Sequence, residues 1–119
     1  MLPDHAADAL TRDLLGFIEA APTPYHAVSE VAGRLSKAGF RRLSERDTWQ
    51  LGPGERGFVV RGGGSIAAFR MGEKSPAEAG FAVIGAHTDS PNLRLKPNAE
   101  ASAHGYEQLS VEVYGGVLL

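Results

Sequence analysis

Phe81-Ala82-Val83-Ile84-Gly85-Ala86-His87-Thr88-Asp89-Ser90-Pro91 is the stretch on which the reading of this chain turns. Its first six residues form a continuous apolar run, the pattern of a strand buried on both faces of a sheet. A polar cluster follows at once, and the carboxyl end of a buried strand is where α/β sheets place their ligands. The run therefore predicts a strand over 81–86, and His87 to Asn92 a turn that carries chemistry.

Upstream, apolar residues at Ala7, Leu10, Leu14, Leu15, Phe17 and Ile18 have helical spacing and predict a helix over 4–20 with one buried stripe. Pro22-Thr23-Pro24 ends it, because a residue before proline is pushed out of the α region. A second helix is expected over 25–37, with Val28, Val31, Ala32 and Leu35 inward and Gly39 as its C-terminal cap. The period then becomes strand-like. Phe40 to Leu43 reads as a short strand and Trp49 as a core anchor. Gly57 to Arg61 and Ser65 to Arg70 read as a hairpin across Gly62-Gly63-Gly64. No Lys-Ser/Thr follows those glycines, so a turn is expected there rather than a phosphate loop.

Met71 to Ala79 reads as a loop leading into the apolar run. Downstream, Leu93 to Lys96 is a short strand candidate ahead of Pro97. Gln108 to Tyr114 alternates Leu109, Val111 and Val113 against Ser110 and Glu112, which predicts a strand. Helices flanking a mixed sheet place the chain in the α/β class. The chain ends on Val117-Leu118-Leu119. Termini are usually polar and frayed, so this triplet is read as a strand interrupted partway.

Composition narrows the function classes. The 119 residues suit one small domain with a modest core. Twelve basic against 14 acidic residues give a net charge of -2, without the Lys and Arg surplus that a nucleic-acid binder needs. The basic group Arg34, Lys37, Arg41 and Arg42 reads as a solvated face. There are no cysteines, so a transition metal would need His, Asp or Glu ligands. Met1-Leu2-Pro3-Asp4-His5 does not look like a signal peptide. No apolar segment approaches the roughly 20 residues of a membrane span. A cytoplasmic protein without membrane or nucleic-acid partners is expected.

His87 and Asp89 are two apart, so on an extended chain they point to the same side. A metal-binding imidazole usually has its second nitrogen held by a carboxylate, which fixes the tautomer. The same pair also suits a hydrogen-bonded turn, and spacing alone leaves both readings open. His5, His26 and His104 have no partner at ligand spacing and read as surface residues, with His26 placed to contact the first turn of its helix. No serine stands in a Gly-x-Ser-x-Gly context, and no His-Glu-x-x-His motif occurs.

From Gly85 to Pro91, continued by Leu93, Arg94, Lys96 and Pro97, the sequence resembles the aspartyl aminopeptidase family of metallopeptidases. The similarity extends upstream through Pro22-Thr23-Pro24-Tyr25-His26, Ser29 to Phe40 and Arg42-Leu43 to Trp49. Downstream it takes in Val111-Glu112-Val113-Tyr114-Gly115-Gly116, and so covers nearly the whole chain. The resemblance implies a two-metal exopeptidase whose α/β catalytic domain is interrupted by a smaller assembly domain. Residues 1–119 would be the N-terminal part of that catalytic domain, ending near the start of the assembly domain. His87 would be the first zinc ligand and Asp89 the catalytic carboxylate that orients it. The remaining ligands and a general-base Glu would lie beyond Leu119, so the 119-residue chain alone is expected to be inactive. Family members remove N-terminal Asp or Glu from peptides and assemble as large homo-oligomers, often dodecamers. Asn92 departs from the family, where cysteine is common, which touches fine specificity rather than metal binding. The rival expectation is a short, non-catalytic binding or assembly module of the same fold, with Val117-Leu118-Leu119 as its interface strand.

Overall fold

The computed structural model describes residues 4–116, with residues 4–6 described by their backbone alone. The apolar end Val117-Leu118-Leu119 lies outside the described residues. The chain divides into two compact units, Met1–Thr88 and Asp89–Leu119.

The first unit opens with helices α1 (Asp4–Ala20) and α2 (Pro24–Lys37), as the apolar spacing predicts. Thr23 starts α2 by accepting a hydrogen bond from the His26 amide, and Pro24 occupies the first turn, where its missing N–H costs nothing. At the other end the Phe40 amide reaches Leu35 O at 2.9 Å and the Gly39 amide reaches Ser36 O at 3.0 Å. This paired closure needs a left-handed residue between helix and strand, and Gly39 supplies it with φ 82°. Arg34 ties the two helices together. It donates to Glu30 at 2.8 Å and to Asp13 of α1 at 2.7 Å, and its guanidinium lies 5.3 Å from the centre of the Phe17 ring.

The buried stripe expected on α1 is corrected by the structure. Phe17 is half-buried, but Leu10, Leu14, Leu15 and Ile18 are all more than half exposed. α2 is the element that α1 packs against, and one helix covers only part of a stripe that wide.

Strands β1 (Arg41–Arg42), β2 (Arg56–Arg61) and β3 (Ser65–Arg70) form a mixed sheet in the order β1-β2-β3. β1 runs parallel to β2, and β2 pairs antiparallel with β3 from Arg56↔Arg70 to Arg61↔Ser65 across the three-glycine turn. α2 packs on all three strands. The buried centre is Ala27 and Val28 from α2 against Phe58 from β2. Trp49, expected as a core anchor, is instead 37% exposed. It stacks on Phe69 with ring centres 5.9 Å apart and donates its indole N–H to Ser44 O at 2.7 Å. A ring with a polar edge suits a rim, where its N–H finds a partner.

The stretch expected as a loop contains one helical turn, α3 (Pro76–Ala79), capped by the Ser75 hydroxyl. The larger correction concerns the apolar run. Residues 81–87 form no strand, and Phe81, Val83 and Ile84 are 82%, 83% and 99% exposed. A strand exists only with ladder partners, and among the described residues no neighbouring strand pairs with this segment.

The second unit is a two-stranded ribbon of β4 (Asn92–Ala103) and β5 (Tyr106–Tyr114). His104 (φ 53°) and Gly105 (φ 81°) make the two-residue turn, a left-handed pair that matches strand twist. β4 is longer than the expected 93–96 because it continues past Pro97. The register shifts between Leu95 and Glu100, and a proline within such an irregularity removes no ladder bond. The pairs Leu93↔Val113 and Leu95↔Val111 line one face, and Arg94↔Glu112 and Asn92↔Tyr114 the other.

The helices on a mixed sheet bear out the α/β class. No helix among the described residues is long and apolar enough to cross a membrane.

Candidate metal-ligating site

His87 closes the irregular segment after the apolar run, and its side chain is exposed. The residue after it is anchored: the Thr88 hydroxyl donates to Gly64 O at 3.0 Å. Gly64 belongs to the turn of the β2–β3 hairpin, where a side chain at Gly63 would meet the Tyr25 ring at 3.4 Å. The hairpin thus holds the backbone one residue from the imidazole.

Asp89, half-buried, begins the second unit. Its Oδ2 accepts a hydrogen bond of 2.7 Å from the Tyr114 hydroxyl. Tyr114 is the last residue of β5 and pairs with Asn92, the first of β4. Arg94, one strand over, lies 5.6 Å from the Tyr114 ring centre and 4.0 Å from the Glu112 carboxylate. The phenol is raised above its ordinary pKa, first by its hydrogen bond to Asp89, then by that carboxylate's charge and by burial, with Arg94 opposing.

His26 and His104 stand where the sequence placed them, and the side chain of His5 lies outside the described residues. His26 Nδ1 is 2.7 Å from the Thr23 hydroxyl at the start of α2, and His104 is a turn residue. A cleft of about 390 Å³ lined by Arg41, Arg42, Ser44, Asp47, Trp49 and neighbours contains neither His87 nor Asp89. Tyr114 is the residue that the sequence reading missed as a participant. Its signal was the alternation of β5, which puts it on the polar face with Glu112, opposite the ribbon residue nearest the motif.

An exposed imidazole is a donor that zinc accepts, and zinc takes three or four protein ligands. Among the described residues no three of His, Asp and Glu come together to hold a metal. The residues present therefore fit one ligand with a hydrogen-bonded carboxylate two positions on, and do not complete a zinc site.

Comparison with known proteins gives a consistent picture. The family model described as aminopeptidase I zinc metalloprotease (M18) matches residues 17–119. A probable M18 family aminopeptidase 2 of Pseudomonas aeruginosa is 52% identical over 109 residues, covering 92% of this chain and 25% of the relative. The corresponding protein of Pseudomonas fluorescens is 50% identical over 112 residues, covering 94% and 26%. Among solved structures, the complex of Ape4 and Nbr1 superposes with a TM-score of 0.85 at 47% identity, over 93% of this chain and 22% of that one. The dodecamer of mApe1 from S. cerevesiae does so at 0.82 and 37%, over 97% and 27%. This chain thus spans about a quarter of the length of the curated relatives it matches.

Proposed function

This chain belongs to the M18 family of zinc metallo-aminopeptidases, and from that premise we propose that it is part of a peptidase subunit that removes N-terminal residues, preferably Asp or Glu, from peptides. In this reading residues 1–119 are the first part of the catalytic domain and lead into an assembly domain. His87 is a zinc ligand, and Asp89 is the carboxylate that fixes its ring. The observation that carries the reading is the placement of His87-Thr88-Asp89 inside the matched span 17–119, with an exposed imidazole followed by two residues that are each held by a hydrogen bond.

The division of labour follows from the chain's own groups. His87 gives a neutral nitrogen. Thr88 fixes the backbone beside it through Gly64. Asp89 holds the ring's second N–H and so selects the tautomer and raises basicity. Zinc held by His87 together with ligands from the longer polypeptide would supply polarisation of the scissile carbonyl and an activated water. Further ligands and a general base come from the longer polypeptide, so residues 1–119 alone are inactive. The full-length subunit is a homo-oligomer, a reading supported by the dodecameric relative mApe1, and its place is the cytoplasm.

The test is made on the full-length protein. His87→Ala is expected to lower bound zinc by about one equivalent and to abolish most peptidase activity. Unchanged zinc content in that variant would sink the ligand assignment. Asp89→Asn is expected to keep the fold and to lower turnover by roughly 10- to 100-fold. Peptides beginning with Asp or Glu should be cleaved faster than matched peptides beginning with Leu, and equal rates remove the acidic preference.

A further inference from the structure

We infer that Tyr114 is a positioning residue of this site, holding the Asp89 carboxylate in the orientation from which it serves the His87 imidazole. The inference rests on the reading of His87 and Asp89 proposed above. It adds a residue 25 positions away in sequence whose hydroxyl bonds to Asp89 at 2.7 Å.

The geometry is built rather than incidental. The ladder pair Asn92↔Tyr114 fixes the backbone of Tyr114 at the end of the ribbon where the motif enters. The Arg94 guanidinium, 5.6 Å from the ring centre, covers one ring face, a favourable contact for a cation. Gly115 follows with φ 70°. A side chain there would meet Pro91 Cα at 3.3 Å and its ring atoms at 3.4 Å. Pro91 stands two residues after Asp89, so the close approach of Gly115 keeps strand end and motif together. Any other residue at 115 would be strained by its backbone and crowded by Pro91.

The chemistry suits the role. An O–H donated to a carboxylate is a short, charge-assisted bond, roughly twice as strong as a neutral one. A carboxylate has two oxygens in one plane, so holding Oδ2 sets where Oδ1 points. The hydrogen bond to Asp89 is also the first cause that raises the phenol's pKa, the direction expected of a hydroxyl that keeps its proton as a donor.

The test uses the full-length protein and three variants: Tyr114→Phe, Asp89→Asn and the double substitution. Zinc release to a chelator, kcat and KM for one peptide, and the melting temperature are measured for each. Tyr114→Phe keeps the ring under Arg94 and removes the hydroxyl alone. It is expected to speed zinc release and to lower kcat by about 10-fold, at the low end of the range for groups behind a metal ligand, with KM nearly unchanged. In the Asp89→Asn background the same change should add little, since the carboxylate it orients is gone. Wild-type zinc release and kcat in Tyr114→Phe, with or without a lower melting temperature, overturn the inference. So do equal penalties in both backgrounds. If His87→Ala keeps its zinc, the parent reading falls and this inference with it. If His87→Ala loses zinc while Tyr114→Phe matches wild type, this inference alone falls.

Discussion

Two apolar stretches of similar composition behave in opposite ways. Gly57-Phe58-Val59-Val60 lies in a strand with β1 on one side and β3 on the other, and Phe58 is 1% exposed. Phe81-Ala82-Val83-Ile84 lies in no strand, and Ile84 is 99% exposed. Apolar character creates a demand for burial, but it does not supply the neighbours that meet it. The first stretch finds its partners within 16 residues on either side, through a tight turn and a short return from α2. The second lies among residues that offer it no ladder.

The contrast is sharpest at Phe58. Phe58→Ala removes the aromatic ring that Ala27 and Val28 are buried with, and should cost about 3–5 kcal/mol. That is a large share of a small domain's stability. Denaturant unfolding followed by Trp49 fluorescence reads it. A loss below about 1 kcal/mol would mean that the centre of this unit is elsewhere.

Gly57 tests how tightly the same strand is packed. A methyl group there would meet Leu43 Cδ1 at 2.7 Å and Phe69 Cζ at 2.8 Å, distances that force the neighbours to move. Gly57→Ala should destabilise by about 1–3 kcal/mol through overpacking, and should disturb the stacking of Trp49 on Phe69. An unchanged Trp49 emission and midpoint would show that the Phe69 ring yields freely.

These two regions also explain what was legible in the sequence. The α1, α2 and hairpin elements rest on local signals: helical spacing, Thr23 and Pro24 at one end of α2, Gly39 at the other, and three glycines between β2 and β3. Each signal acts within a few residues, so the sequence carries it in full. The 81–86 strand and the buried stripe of α1 rest on partners that spacing cannot name, and both expectations failed for that reason. Trp49 failed differently, because size suggested a core and its indole N–H favoured a rim. Pro97 looked like a strand end until the register shift beside it gave the proline a place. At the site, His87 and Asp89 were visible as a local motif. Tyr114 was not, since its role comes from a ladder pairing 22 residues apart in sequence, Asn92↔Tyr114.

Thr88 links the two regions, because it anchors the exposed segment to the hairpin turn. Thr88→Val keeps the shape and deletes the hydrogen bond to Gly64 O. A typical loss is about 0.5–1.5 kcal/mol. The more telling effect is local: amide exchange around 85–88 should quicken while exchange in β2 and β3 stays as it was. Faster exchange throughout the hairpin would mean that the Thr88 tether supports the turn itself.

Ile84 gives the smallest effect and the clearest division. In the isolated 119-residue chain Ile84→Ala removes a side chain that touches mostly water, so stability should change by less than about 0.5 kcal/mol. The same substitution in the full-length subunit separates two physical pictures. If the longer polypeptide supplies ladder partners and a covering layer, Ile84 becomes a core residue and its truncation costs about 2–5 kcal/mol. A change as small as in the isolated chain means that the segment stays irregular there too. His87 would then be carried by an exposed loop held at Thr88, rather than by the end of a buried strand. A metal ligand on such a loop is less sharply preorganised, and would depend correspondingly more on the Thr88–Gly64 bond and on the carboxylate of Asp89.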